Sequence, residues 1–108
     1  MISVDITLAG GVVTALESHG HAVRQGETSI PCAAVSSLLR SFVAAVGEFD
    51  GVIADGDAGA PGELTVRVRS VADERWFRGA GDMLLSGLRL IASEFPDEVE
   101  LRVSRSFS

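Results

Sequence analysis

Hydrophobic and polar positions alternate strictly at the start of the chain. Ile2, Val4, Ile6 and Leu8 fall on one side, and Ser3, Asp5 and Thr7 on the other. That is the period of a strand with one buried face. Gly10-Gly11 follows, and glycine accepts the positive φ that a tight hairpin turn demands. A second strand, antiparallel to the first, is predicted from Val12 to Ser18. The segment from His19 to Pro31 is polar, contains Gly20 and Gly26, and has no period. From Cys32 the spacing becomes helical, with Val35, Leu38, Leu39, Phe42, Val43 and Val46 on one face and Ser36, Ser37, Arg40 and Ser41 on the other. Gly47 to Gly62, centred on DGVIADGDAGAPG, reads as a long connection. Leu64, Val66 and Val68 alternate with Thr65, Arg67 and Arg69, predicting a third strand. Arg75 to Phe95 reads as a helix with Phe77, Ala80, Leu84, Leu88 and Ile91 inward, ended by Pro96. Val99, Leu101 and Val103 alternate with Glu100, Arg102 and Ser104 in a last strand.

The order ββαβαβ predicts an α/β (α+β) two-layer sandwich. Its sheet has four strands, antiparallel or mixed, with two helices packed on one face. With 108 residues, 46% of them hydrophobic, and no linker or repeat, the chain reads as a single domain over residues 1–108. The opening strand pattern is unlike a signal peptide, and no run approaches the roughly 20 apolar residues of a membrane span. A net charge of −6 argues against direct nucleic-acid binding and against anionic membranes, and favours a basic partner. The single cysteine excludes an internal disulfide and a multi-cysteine metal site, and points to a reducing compartment, most simply the cytoplasm.

That cysteine raises the question of chemistry. Cys32 follows Pro31, and proline favours the first turn of a helix. A sulfur there meets the positive end of the helix dipole and first-turn amides that can hold an oxyanion, a setting that suits a nucleophile. His21 stands eleven residues earlier, and a loop of this length can bring its ends together at small entropic cost. Its imidazole could take the thiol proton and pass it to a leaving amine. Gly20 would permit a left-handed turn or close backbone approach before it. Ser36 lies one helical turn beyond Cys32 on the same face. Taken alone, a cysteine beside Ala-Ala-Val is more often a small buried apolar residue than a nucleophile. Likewise, His21 and Ser36 are more often surface residues, so spacing by itself leaves both readings open.

Other constellations fail on spacing. Asp55, Asp57 and Glu63 resemble a calcium loop, but Gly59 and Ala60 occupy positions that need an oxygen ligand and a glycine. Gly79-Ala80-Gly81 lacks the third glycine of a nucleotide loop. His19 and His21 alternate like a strand pair, with no carboxylate placed to complete a metal site. Arg67, Arg69, Arg75 and Arg78 read as a solvated face or as substrate-side charges.

Gly20-His21-Ala22, Gly26 and Cys32-Ala33-Ala34-Val35-Ser36 together resemble the ribosomal-processing cysteine protease family, Prp. The opening MISVDIT, the hairpin, RVRSVADE and LRLIASEFPDEVELRV extend the resemblance over almost the whole chain. It implies a bacterial endopeptidase that removes the N-terminal extension of large-subunit ribosomal protein L27 by cutting after a phenylalanine. It further implies a homodimer that needs no metal or cofactor. By the same resemblance Cys32 is the nucleophile and His21 the general base and acid. Gly20 and Ser36 are supporting positions, and the Cys32 or Ala33 amide would hold the oxyanion. The family carries an aspartate three residues before the cysteine, whereas this chain has Ser29. The departure implies a dyad, its imidazole oriented by Ser29, Ser36 or a backbone carbonyl. Two other readings remain: a non-catalytic dimeric module that binds a basic ribosomal protein, and a thiol-based redox or acyl-transfer enzyme.

Overall fold

The computed structural model describes residues 1–20, 30–48, 52–57 and 63–106, without the side chains of 52–55 and 57. The chain forms β1 (Ile2–Ala9), β2 (Val12–His19), α1 (Ile30–Glu48), β3 (Val52–Asp57), β4 (Leu64–Val71), α2 (Glu74–Glu94) and β5 (Val99–Ser106). The sheet order is β3-β4-β2-β1-β5. It is mixed, because β1 pairs antiparallel with β2 and parallel with β5. The α+β architecture, the mixed sheet and the two helices agree with the sequence pattern, but the sheet has five strands rather than four. The added strand, β3, lies inside the stretch read as a long connection and pairs antiparallel with β4.

The opening hairpin turns as its glycines dictate. Gly10 and Gly11 have φ of 60° and 79°, the positive pair of a type I′ turn. Ala9 pairs with Val12 across it, and the register then shifts between Thr7 and Leu8. Thr14 is the extra residue, and its Oγ1 donates to the Thr7 carbonyl at 3.2 Å. This bulge lets both Val13 and Leu16, three residues apart, point into the core.

Among the described residues, the two helices cover one face of the sheet. Ile2, Val4, Ile6 and Leu8 of β1 join Leu16, Val66 and Val99 in one buried cluster with Val35, Leu39 and Phe42 of α1 and Phe77, Leu84 and Leu88 of α2. Phe42 and Phe77 meet edge to face at a centroid distance of 5.9 Å, a favoured aromatic geometry. By length and composition α1 could cross a membrane, contrary to the expectation that no segment approaches a span. Its buried stripe nevertheless runs through Pro31, Cys32, Val35, Leu39, Phe42 and Val46, the pattern of a core helix.

The ends of α2 are chemically defined. Asp73 caps the start by accepting from the Trp76 amide at 3.2 Å. Phe95 closes the end, its amide donating to the Ile91 carbonyl, and Pro96 follows as expected. The Gly79-Ala80-Gly81 stretch lies inside this helix, where Gly81 is buried against Val13. Arg78 is exposed, as a solvated charge would be, and it also has a partner within the fold. Its Nη2 donates to the Gly10 carbonyl at 2.8 Å and ties α2 to the hairpin turn.

Candidate active site

Cys32 is the third residue of α1, directly after Pro31, as the sequence predicts. It lies within the first four residues of the helix, whose amides have no carbonyl four residues back inside it. The amides of Cys32 and Ala33 belong to this turn, and the Ala33 side chain is exposed. Ser36 lies one turn further on and is half-buried. The Cys32 residue is only 9% exposed and belongs to the core cluster. It heads the inward stripe of α1, so the same spacing that makes the helix amphipathic turns this residue toward the interior.

Gly20 ends β2 with a φ of 96°. A Cβ at this position would collide with the carbonyl oxygen of Met1. Both features anticipated from the sequence, unusual torsion and close backbone approach, are therefore present just before His21. His21, Ala22, Gly26 and Ser29 lie outside the described residues. Gly20→Ala is expected to lower stability by roughly 1–3 kcal/mol, through the torsion and the collision together. Gly47→Ala is the control, because nothing stands within 4 Å of a Cβ there. Thermal melts of the two variants check this, and equal melting temperatures would contradict it.

Beyond Cys32 the outer face of α1 borders a cleft of about 620 Å³ lined by Ser37, Arg40, Ser41, Val43, Ala44 and Leu64. Among the described residues most of this wall is aliphatic or small, and Arg40 is the charged one. Cys32 is not among these lining residues; the cleft begins just over one helical turn further along.

On the face of the sheet opposite the helices, register brings together residues the sequence reading kept apart. Asp5 stands opposite Glu17 across β1 and β2. Nε2 of His19 lies 3.5 Å from Oε2 of Glu17. Asp5, Glu17 and His19 each offer a ligand atom, and these atoms lie within 4.8 Å of one another. The expectation that His19 has no carboxylate nearby is thereby corrected. Arg102, paired with Asp5 across β1 and β5, already holds that carboxylate through Nε at 2.8 Å and Nη2 at 3.2 Å. It also reaches Glu100 at 3.3 Å. The cluster thus carries its own counter-charge.

Solved structures share this fold. The essential ribosomal processing protease Prp from S. aureus, in complex with a substrate peptide, is 25% identical. That match has a TM-score of 0.81 and covers 96% of this chain and 100% of that one. The same S. aureus protease with a covalently linked product peptide matches at a TM-score of 0.84 and 24% identity, over 96% of this chain and 100% of that one. SMU.848 from Streptococcus mutans matches at 0.80 and 23% identity, covering 98% of this chain and 96% of that one. Comparison with curated proteins gives no match. The chain thus has the architecture of small α+β proteins that include a peptide-processing protease. Residues 1–100 match the family model described as Cysteine protease Prp, and the chain belongs to that family.

Proposed function

We propose that the protein is a cytoplasmic cysteine endopeptidase that removes the N-terminal extension of ribosomal protein L27, cutting after a phenylalanine, and that it works as a homodimer. The observation that carries this reading is the position of Cys32. It occupies the first turn of α1 in a chain whose first hundred residues match a cysteine protease family. The S. aureus relative bound to a substrate peptide supports a peptide substrate.

In the proposed reaction the Cys32 sulfur attacks the carbonyl carbon of the residue before the cut. The thiol proton goes to His21. The carbonyl oxygen, now negative, accepts hydrogen bonds from first-turn amides, those of Cys32 or Ala33. His21 returns the proton to the departing amine as the C–N bond breaks and an acyl-enzyme forms. It then takes a proton from water, which attacks the thioester and releases the new carboxylate. Gly20 sets the backbone path into His21. Ser36 and Ser29 are the hydroxyls proposed to orient sulfur, imidazole or substrate. The cleft along α1 is the proposed seat for neighbouring substrate residues.

The burial of Cys32 favours one competing reading, a dimeric module that binds a basic ribosomal protein without cutting it. Incubation of the protein with a peptide spanning the L27 extension separates the two. Mass spectrometry is expected to find two fragments divided after the phenylalanine. A chloromethyl ketone ending in phenylalanine is expected to label Cys32. An intact peptide that nevertheless binds would establish the module and overturn the protease.

A further inference from the structure

We propose that Arg40 is a specificity-determining residue, whose guanidinium pairs with a carboxylate side chain of the peptide extension about three or four residues before the cut. The inference rests on the peptidase reading above and adds a charge requirement to its substrate. Arg40 lies on the outer side of α1 and is exposed. Among the described residues it has no ion-pair or hydrogen-bond partner, whereas Arg78 holds the Gly10 carbonyl and Arg102 holds Asp5. It is also the charged side chain of the cleft otherwise lined by Ser37, Ser41, Val43, Ala44 and Leu64. A guanidinium presents a planar fork of donors that matches a carboxylate. Aliphatic walls beside it thin the water that would screen such a pair.

The cleft is continuous with the start of the helix. Ala33, Ser37, Arg40 and Ala44 follow one another at helical spacing, so they share one face of α1. All four are exposed. That face begins at Ala33, beside Cys32, where the proposed oxyanion donors lie, and it ends in the cleft. Its small side chains leave room for an extended peptide to lie along the helix from the sulfur to the arginine. Arg40 is eight positions past Cys32 in α1, about 12 Å along the axis. Its side chain leans back toward the helix start. An extended peptide advances about 3.3 Å per residue, so the guanidinium meets the third or fourth residue from the cut.

Charge decides which side of the cut this is. A ribosomal protein meets RNA phosphates with lysine and arginine, and Arg40 repels such residues beyond the cut. An acidic residue in the extension is attracted instead. The chain as a whole carries a net charge of −6, which draws the basic mature portion. One local cation in an acidic protein therefore gives the peptide a direction, with its acid in the cleft and its basic end away from it. The cleft volume of about 620 Å³ lies in the range of sites that enclose a small ligand, which suffices for one acidic side chain and its neighbours.

Three extension peptides test the assignment, identical except for glutamate, glutamine or lysine at the fourth residue before the cut. Wild-type kcat/KM is expected to favour glutamate over glutamine about fivefold, the upper range for an exposed charge pair. The difference should lie in KM, as ground-state binding does, and shrink as salt is raised. Arg40→Gln is expected to bring the ratio to about one, and Arg40→Glu to reverse it in favour of lysine. Moving the glutamate singly from the second to the sixth residue before the cut is expected to give a maximum at the third or fourth. Circular dichroism confirms that both variants fold. Cleavage by the wild type with no preference at any position, or a preference that Arg40→Gln retains, overturns the role of Arg40 and leaves the peptidase intact. A wild-type protein that cuts none of the peptides overturns the peptidase reading, and the role of Arg40 with it.

Discussion

Cys32→Ala is expected to abolish cleavage of the extended ribosomal peptide, with a fall in kcat on the order of 10⁴-fold or more, as removal of a covalent nucleophile produces. The variant deletes one sulfur from a mostly buried position, so the fold should survive and the loss should belong to chemistry. His21→Ala is expected to cost roughly 10²–10⁴-fold, the range for a general acid–base group. Combining the two should cost little more than Cys32→Ala alone, because the residues act as one unit. Product formation followed by mass spectrometry, alongside a thermal melt of each variant, checks the set. Cleavage that persists in Cys32→Ala at the wild-type rate would end the protease reading. If both single variants lose activity but their losses multiply, they act separately and the dyad is wrong.

The second large effect lies in the core. Phe77→Ala is expected to destabilise the protein by about 3–5 kcal/mol, the usual cost of removing a buried ring. Phe77 has no solvent exposure, and its ring meets Phe42 edge to face. It therefore joins α2 to α1 while packing under the sheet. Domains of this size hold about 5–15 kcal/mol in total, so the variant would keep only a fraction of its stability. A drop in melting temperature on the order of 20 °C is expected. Phe77→Leu should recover much of it, since a large apolar side chain remains. A shift of only a few degrees for Phe77→Ala would show that the two helices are held by other contacts.

Much of this architecture is legible where local chemistry decides it. The alternation of Ile2 to Leu8 marks β1 because one face is buried and the other open. Gly10-Gly11 marks the hairpin because only glycine takes both torsions cheaply. Pro31 places Cys32 in the first turn of a helix. What the sequence hides depends on partners far away in the chain. Val-Ile-Ala-Asp-Gly-Asp has the glycine and aspartates of a loop, yet it forms β3 through backbone pairing with β4. Strict alternation through Val13, Ala15 and Glu17 would have put the wrong residues inward, and the bulge at Thr14 corrects the face. Arg78 reads as a surface charge and is one, but its bond to Gly10 appears only when the fold brings the two together across 68 positions. Asp5, Glu17 and His19 share a face only once β1 and β2 are in register. For the site, the helix start was readable, but the inward turn of Cys32 follows from the packing of α1, which no single motif states.

The parallel pairing of β1 with β5 has a consequence for how the molecule comes into being. β1 lies inside the sheet, between β2, its immediate successor, and β5, the described strand farthest from it along the chain. During translation the hairpin can form early, but one edge of β1 stays open, with unsatisfied backbone groups, until Val99 and the residues after it have left the ribosome. Closure over so long a stretch of chain is slow compared with local pairing. The nascent protein therefore passes through a stage in which β1 offers an edge to any neighbouring strand, and β5 acts as the clasp.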